Sequence, residues 1–368
     1  MNMKAEVRRF TIDGGGVLET KIAEDVRAIA AKAVSAVGGR DITAVILGGG
    51  YGRGEGAVWR ENGDERVYND YDLFVVTPSL SRSRSKQISG TLREVGKRME
   101  SAAGIHVDFG RPLPQSNLSS LPYELMMMEL KMGHVVLHGP RDILSSMPNY
   151  DEKRPPLIEC TRLLMNRSVG LIQARQLSAK RRSLSDDEKQ FAIRNTQKAM
   201  MAAGDAVLFV NQTYSASYAQ RLRLFDGLSL KGTPKGELLR DRYHEAINFK
   251  LHPSHKLPAG KTLAAWIEES AALFGSVFLW FERRRLDAPE MGWDDYMARP
   301  FRLPAPTLLE SIMNAARNIR GKAFPLTGVK GLLLHPRDHI LRAAPKLLYS
   351  DGTPEREAAF FRLWELYS

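Results

Sequence analysis

Two aspartates one residue apart open an apolar run, Asp70-Tyr71-Asp72-Leu73-Phe74-Val75-Val76. In an extended strand, residues i and i+2 project from the same face, so Asp70 and Asp72 present their carboxylates side by side. Like charges that close repel unless a cation sits between them. Magnesium suits such a pair, because it takes hard oxygen ligands and shares its shell with phosphates and water. A third carboxylate, Asp108, lies in a second short apolar run, Ile105-His106-Val107-Asp108-Phe109. Three carboxylates on neighbouring strands could hold two magnesium (or manganese) ions, an arrangement that serves in-line displacement at phosphorus. Upstream stands Gly48-Gly49-Gly50-Tyr51-Gly52-Arg53-Gly54, whose glycines would let backbone amides approach a polyphosphate. Arg53 could then neutralise phosphate charge. The run lacks the Gly-Lys-Ser/Thr of a Walker loop. A pair of acids downstream, in place of one, sets it apart from the dinucleotide-binding fingerprint.

The elements that must position these residues alternate in the first third of the chain. Residues 7–12 read as a short strand and 14–16 as a turn. Residues 18–37 carry apolar side chains at helical spacing, stopped by Gly38-Gly39. A β-branched strand is expected at 42–47, then the glycine-rich loop, then a polar stretch at 60–69 with an Asn62-Gly63 turn. Strands follow at 71–76, 105–109 and 134–138, with helices at 83–102 and 122–132. From about residue 155 the pattern becomes helical, at 157–178, 186–211, 215–225, 236–248, 263–285 and 306–319, with a final helix at 354–366. The expected fold is an α/β (α+β) head with a small mixed sheet, residues 1–150, joined to an all-α body, residues 151–368.

Composition bounds the rest. A hydrophobic share of 43% and a charged share of 26% exclude wholesale disorder. A single cysteine, Cys160, excludes a disulfide framework and a cysteine-rich zinc site. No apolar run reads as long enough to cross a bilayer, and the N-terminal residues resemble no export signal, so a soluble, cytoplasmic protein is expected. The net charge of +11 is uneven: residues 1–150 hold 19 basic and 18 acidic side chains, leaving 34 against 24 in the remainder. That surplus would attract phosphate, as nucleotide or nucleic acid.

A strand, a Gly-Gly loop, an Asp-x-Asp strand and a later third Asp resemble the signature of the DNA polymerase beta-like nucleotidyltransferase superfamily. The likeness is greatest to bacterial members with an α-helical C-terminal domain, such as the antibiotic nucleotidyltransferases, and covers residues 40–140. The segment Gly133-His134-Val135-Val136-Leu137-His138-Gly139-Pro140 is similar to the one that often closes that domain. The resemblance implies that Gly49 and Gly50 hold the β- and γ-phosphates, that Asp70 and Asp72 bind metal, and that Asp108 completes the site. Lys198 is the residue it suggests for holding the triphosphate from the helical domain, with Arg53 balancing charge beside it. Two departures stand out. Gly50 replaces the commoner Ser, and nineteen residues separate it from Asp70, so residues 57–68 should bulge as a loop or hairpin.

The activity implied is magnesium-dependent transfer of a nucleoside monophosphate, from ATP or another nucleoside triphosphate, to a hydroxyl on a small acceptor lying between head and body. The alternatives are a macromolecular acceptor (a tRNA end or a protein side chain) and a non-catalytic nucleotide-binding module. Weaker candidates read mainly as structural: Arg162, Asn166 and Arg167 as ion-pairing groups, the aromatics Tyr214 and Tyr218 as core packing where with Arg221 they could also line an acceptor pocket, and His244, His252 and His255 as a cluster without the ligands of a metal site.

Overall fold

The computed structural model describes residues 9–254, 257, 260–299, 307–323, 325–326, 331–349 and 353–367. The protein is an α+β molecule, mostly helical, with a small mixed sheet. Its chain packs as two units. The first comprises Met1–Pro155 together with Tyr214–Arg223 and Ile247–Ser254, two pieces that a single division at 150/151 assigns elsewhere.

The sheet of the first unit is built from β1 (Ala44–Leu47), β4 (Asp70–Thr77), β5 (His106–Phe109), β6 (Leu113–Pro114) and β7 (Val135–His138). Its order is β5-β4-β1-β7, with β6 pairing the far end of β4. β1 runs antiparallel to β4 and β7, whereas β5 and β6 run parallel to β4. Parallel pairing needs a crossover, and the helix α3 (Arg82–Ala103) supplies it between β4 and β5. Together with α1 (Gly16–Val37) it covers one face of the sheet. Alternation along β4 decides which residues meet those helices: Tyr71, Leu73 and Val75 join Ile22, Val26, Ile29, Leu92 and Val95 in one apolar cluster. Asp70 and Asp72, one residue out of phase, therefore emerge on the opposite face.

Two expectations are corrected here. The glycine-rich segment is a short helix, α2 (Gly49–Arg53), and not a loop. It is entered directly from β1 through Gly48 and left through Gly54 at φ 81°. The expected strand at 7–12 is also absent over its described residues 9–12, where Thr11 makes one isolated bridge to Gly56. The Glu19 carboxylate accepts the Phe10 and Thr11 amides at 2.7 and 3.0 Å, so a side chain satisfies backbone that a strand ladder would otherwise pair. Residues 57–68 form the hairpin β2 (Val58–Glu61) and β3 (Asp64–Val67). Its turn residues Asn62 and Gly63 sit at φ 53° and 90°, as a two-residue hairpin turn requires. The helix α4 (Leu125–Met132) starts three residues later than expected, since Glu124 is still extended.

Every described element of the second unit, Pro156–Thr213, Leu224–Ala246 and His255–Ser368, is helical. The helices α5 (Leu157–Ser178), α6 (Asp186–Val210) and α9 (Leu263–Arg285) pack on one another. Contrary to the expectation of no bilayer-length apolar run, α9 is long and apolar enough by composition to cross a membrane. Here its Trp266, Ile267, Phe274, Phe278 and Phe281 are core residues, fully or almost fully buried. Glu282 on the same helix is also buried, accepting a 2.5 Å hydrogen bond from Thr161. The helices Trp293–Ala298 and Pro336–Tyr349 were not anticipated; the second carries Pro345 inside it, which reads as a breaker.

Candidate active site

The parallel register of β4 and β5 sets Asp72 directly opposite Asp108, and Asp70 opposite His106. Paired residues of neighbouring strands share a face, so Asp70, Asp72 and Asp108 lie together on the side of the sheet away from α1 and α3. Asp70 and Asp72 are half-buried and Asp108 is exposed. Asn69, at φ 85°, turns its amide onto the Asp70 carboxylate. Burial, reinforced by the neighbouring Asp70 and Asp108 carboxylates, pushes the Asp72 carboxyl up to about 7, against the pull of Lys250 and Arg53.

The glycine segment reaches this site through backbone geometry. Gly48 N–H donates to Asp72 O at 2.8 Å, tying the end of β1 to β4. Gly49 follows at φ +60°, and a Cβ built there would stand 1.9 Å from Asp72 Oδ2. The Asp72 carboxylate therefore lies against the bare α-carbon of Gly49. Gly49→Ala is expected to cost about 2–4 kcal/mol, from the left-handed backbone and the displaced carboxylate together. Urea unfolding measures this, and a loss below about 0.5 kcal/mol would show that Asp72 swings aside freely. At Gly50, a Cβ would meet the Glu55 carbonyl oxygen at 3.0 Å. Space there is tight, which gives a physical reason for glycine at this position.

Arg53 occupies a different environment from the one expected. Its side chain is 6% exposed and pairs with Glu129 at 3.3 Å, with Glu55 4.0 Å away. Its guanidinium lies 5.0 Å from the centre of the Tyr218 ring. Glu129 also accepts from Tyr214 Oη at 2.8 Å and from Arg221. Burial alone would raise the Glu129 carboxyl, but the Arg53 and Arg221 guanidiniums hold it below the ordinary carboxylate value. Glu55, buried, accepts from Ser217 Oγ at 2.7 Å and from the Tyr218 and Ala219 amides at 2.8 and 3.1 Å. These acceptors cap the start of the helix α7 (Tyr218–Asp226) and fix Tyr218. The aromatics expected as core packing, Tyr214 and Tyr218, are buried, and Arg221 is buried with them inside a polar network.

Sequence reasoning missed Lys250. It lies near the end of the helix α8 (Gly236–Leu251), in the piece that packs with the first unit. Its ammonium stands 5.3 Å from the Tyr218 ring centre and acts electrostatically on Asp72. Nothing local marks Lys250 in Asn248-Phe249-Lys250-Leu251; only the tertiary placement of that segment does.

Lys198 is half-buried on α6 of the second unit. Asp205, on the same helix, is buried and accepts from Tyr243 Oη at 2.8 Å. Arg162 pairs within its own helix with Glu159. His244 binds Asp226 at 2.6 Å and His252 lies 3.8 Å from Asp13, so these two do not converge; His255 lies outside the described residues.

Among the described residues, no three His, Cys, Asp or Glu side chains are gathered as a ready metal cage. The donor set still fits a divalent cation: Asp70, Asp72 and Asp108 are hard oxygen donors on one face, and desolvation, then the Asp70 and Asp108 carboxylates, disfavours an uncompensated charge on Asp72. The sequence matches no protein-family model, and no curated protein matches it either.

Proposed function

We propose that the protein is a magnesium-dependent nucleotidyltransferase of the polymerase beta-like kind, its first unit the catalytic head. It would move a nucleoside monophosphate, AMP for preference, from the triphosphate to a hydroxyl of a small acceptor. The observation that carries this reading is the trio Asp70, Asp72 and Asp108 on adjacent strands, with the bare α-carbon of Gly49 against Asp72.

Asp70, Asp72 and Asp108 would hold the magnesium, which when bound supplies Lewis-acid stabilisation to the reacting phosphoryl oxygens and the departing pyrophosphate. The amides of Gly49 and Gly50, in the first turn of α2, have no preceding helical carbonyl to satisfy them and would donate to the β- and γ-phosphates. Lys250, whose charge acts on Asp72 ahead of that of the ion-paired Arg53, would neutralise the phosphates in place of Arg53. Asp108, the most exposed of the three, accepts the proton of the acceptor hydroxyl as its oxygen attacks the α-phosphorus. The bond from that phosphorus to the bridging oxygen breaks, and pyrophosphate carries away the electron pair. Most of the rate would come from positioning and fixed charge.

Lys250→Gln is expected to raise KM for the triphosphate about tenfold, with a smaller change in kcat, as befits loss of one charge-assisted contact. An unchanged KM would remove Lys250 from the site. The test of the reading itself is a transfer assay with ATP labelled on the α- or the γ-phosphate, offered small hydroxylated compounds, bulk tRNA and the protein. Label transferred only from the α-position, and lost in Asp70→Asn/Asp72→Asn, is the expected result. Transfer only from the γ-position would make the protein a kinase, and nucleotide binding without transfer would leave a binding module. The surplus of basic residues after residue 150 favours the second reading, a tRNA acceptor. That reading requires tRNA binding that weakens steeply with salt.

A further inference from the structure

The second unit contains an open cleft of about 660 Å³, a volume in the range of small-molecule sites. It lies wholly within the helical unit and includes none of Asp70, Asp72 or Asp108. Its walls are aromatic: Trp280 on α9, Trp293 on the following short helix, and Tyr349 at the end of Pro336–Tyr349.

Two of these rings are held by hydrogen bonds from their own polar atoms. Trp280 Nε1 donates to Gly232 O at 2.7 Å, and the Arg284 guanidinium stacks on the indole at 4.1 Å. Tyr349 Oη donates to Ala271 O at 2.9 Å. Its ring lies flat against Trp293, with centres 4.7 Å apart and planes 17° apart. Gly275 permits this arrangement, since a Cβ there would come within 2.6 Å of the Tyr349 ring. The walls are therefore largely aromatic, with the Trp280 and Tyr349 polar atoms already engaged.

The charge in the cleft has one sign. Arg283 lines it, with Nε donating to Met291 O at 2.8 Å, which fixes the plane of the guanidinium. No carboxylate among the described residues pairs with Arg283, and none lines the cleft. Ser276 and Thr233 add hydroxyls at the wall. Aromatic walls suit a planar ring, by edge or face, and an oriented guanidinium with no paired carboxylate among the described residues selects a carboxylate or phosphate.

We propose that this cleft is a second ligand site, for a small planar aromatic anion, independent of the carboxylate site. It neither requires nor excludes the transferase reading.

The test uses the full chain and three probes: 2-naphthoate as aromatic carboxylate, AMP as aromatic phosphate, and 2-naphthalenemethanol as neutral control. Binding is read by calorimetry and by quenching of tryptophan fluorescence, and repeated in Asp70→Asn/Asp72→Asn to set aside nucleotide bound at the carboxylates. At least one anion should bind one-to-one, at least tenfold tighter than the neutral control, and survive the double substitution. Whether naphthoate or AMP is the tighter assigns the anion as carboxylate or phosphate. Arg283→Met should erase the tenfold preference. Ser276→Trp, at an exposed position on the wall, should block all binding while leaving the thermal midpoint unchanged. It also keeps the test decisive if Arg283→Met fails to fold. Absence of saturable binding up to millimolar anion, a preference that survives Arg283→Met, or binding indifferent to Ser276→Trp would each overturn the proposal.

Discussion

Asp72→Asn is expected to reduce nucleotidyl transfer by on the order of 10³-fold or more while making the metal-free protein more stable at pH 8. The two effects have one cause. Asp72 is half-buried beside Asp70 and Asp108, and desolvation with their charges raises its carboxyl from 3.8 to about 7. The folded chain therefore holds this proton more tightly than the unfolded chain does. The resulting stability is fully present below about pH 4 and is lost as pH rises through 7. Asparagine removes the group that titrates, so this part of the pH dependence should vanish. Wild type should then lose a few kcal/mol relative to the variant between pH 4 and 8. Urea midpoints across that range, without divalent ions, measure the difference. Millimolar magnesium should restore wild type at pH 8 and leave the variant largely unmoved. Parallel pH profiles for the two proteins, or a variant less stable at pH 8, would mean that Asp72 carries no strained charge and would weaken the metal-site reading.

The parts of the fold that were legible in the sequence are those where local pattern and tertiary demand agree. Ala44–Leu47 and Asp70–Thr77 are apolar enough to be strands in a buried sheet, and Asn62-Gly63 is a hairpin turn by backbone chemistry alone. The three aspartates were legible because the two-residue strand period placed Asp70 and Asp72 on one face; pairing with Asp108 needed only that the next strand lie alongside. The glycine segment was misread because glycine weakens any local preference for a helix. What fixes α2 is tertiary: Gly52 has no room for a side chain, since a Cβ would stand 2.4 Å from Leu47 O, and Tyr51 Oη bonds Ala57 O at 2.8 Å. Arg53 was assigned to phosphate because its partner Glu129 is distant in sequence, 76 residues away. Lys250 was invisible for the same reason. Its neighbour Tyr218 lies on another helix, and no periodicity within α8 records that contact.

A second carboxylate of the same unit should behave oppositely. Glu129→Gln is expected to destabilise the protein by about 3–5 kcal/mol, the cost of leaving buried guanidiniums without their counter-charge. The side chain keeps its volume, so packing is not the cause. Arg53 and Arg221 are only 6% and 3% exposed and both pair with Glu129, and Tyr214 donates to it as well. Their charges hold the Glu129 carboxyl below its ordinary value. Its contribution is therefore present above the unfolded value near 4.5 and is lost as pH falls through the depressed folded value. Wild type should unfold cooperatively in acid, through a transition to which the glutamine variant is less sensitive. A cycle with Arg53→Met separates the pairwise coupling from the burial cost, and a coupling below about 0.5 kcal/mol would reduce the cluster to coincidental neighbours. The network also bears on the site. Arg53 ends the helix that begins at Gly49, and Arg221 faces the same Tyr218 ring as Lys250, with its guanidinium 4.8 Å from the ring centre. Loosening Glu129 should therefore raise KM for the triphosphate, as Lys250→Gln does, through misplaced groups that never touch it. A glutamine variant that lost stability yet kept KM would show that the buried network supports the fold alone, and that Lys250 is positioned by α8 without it.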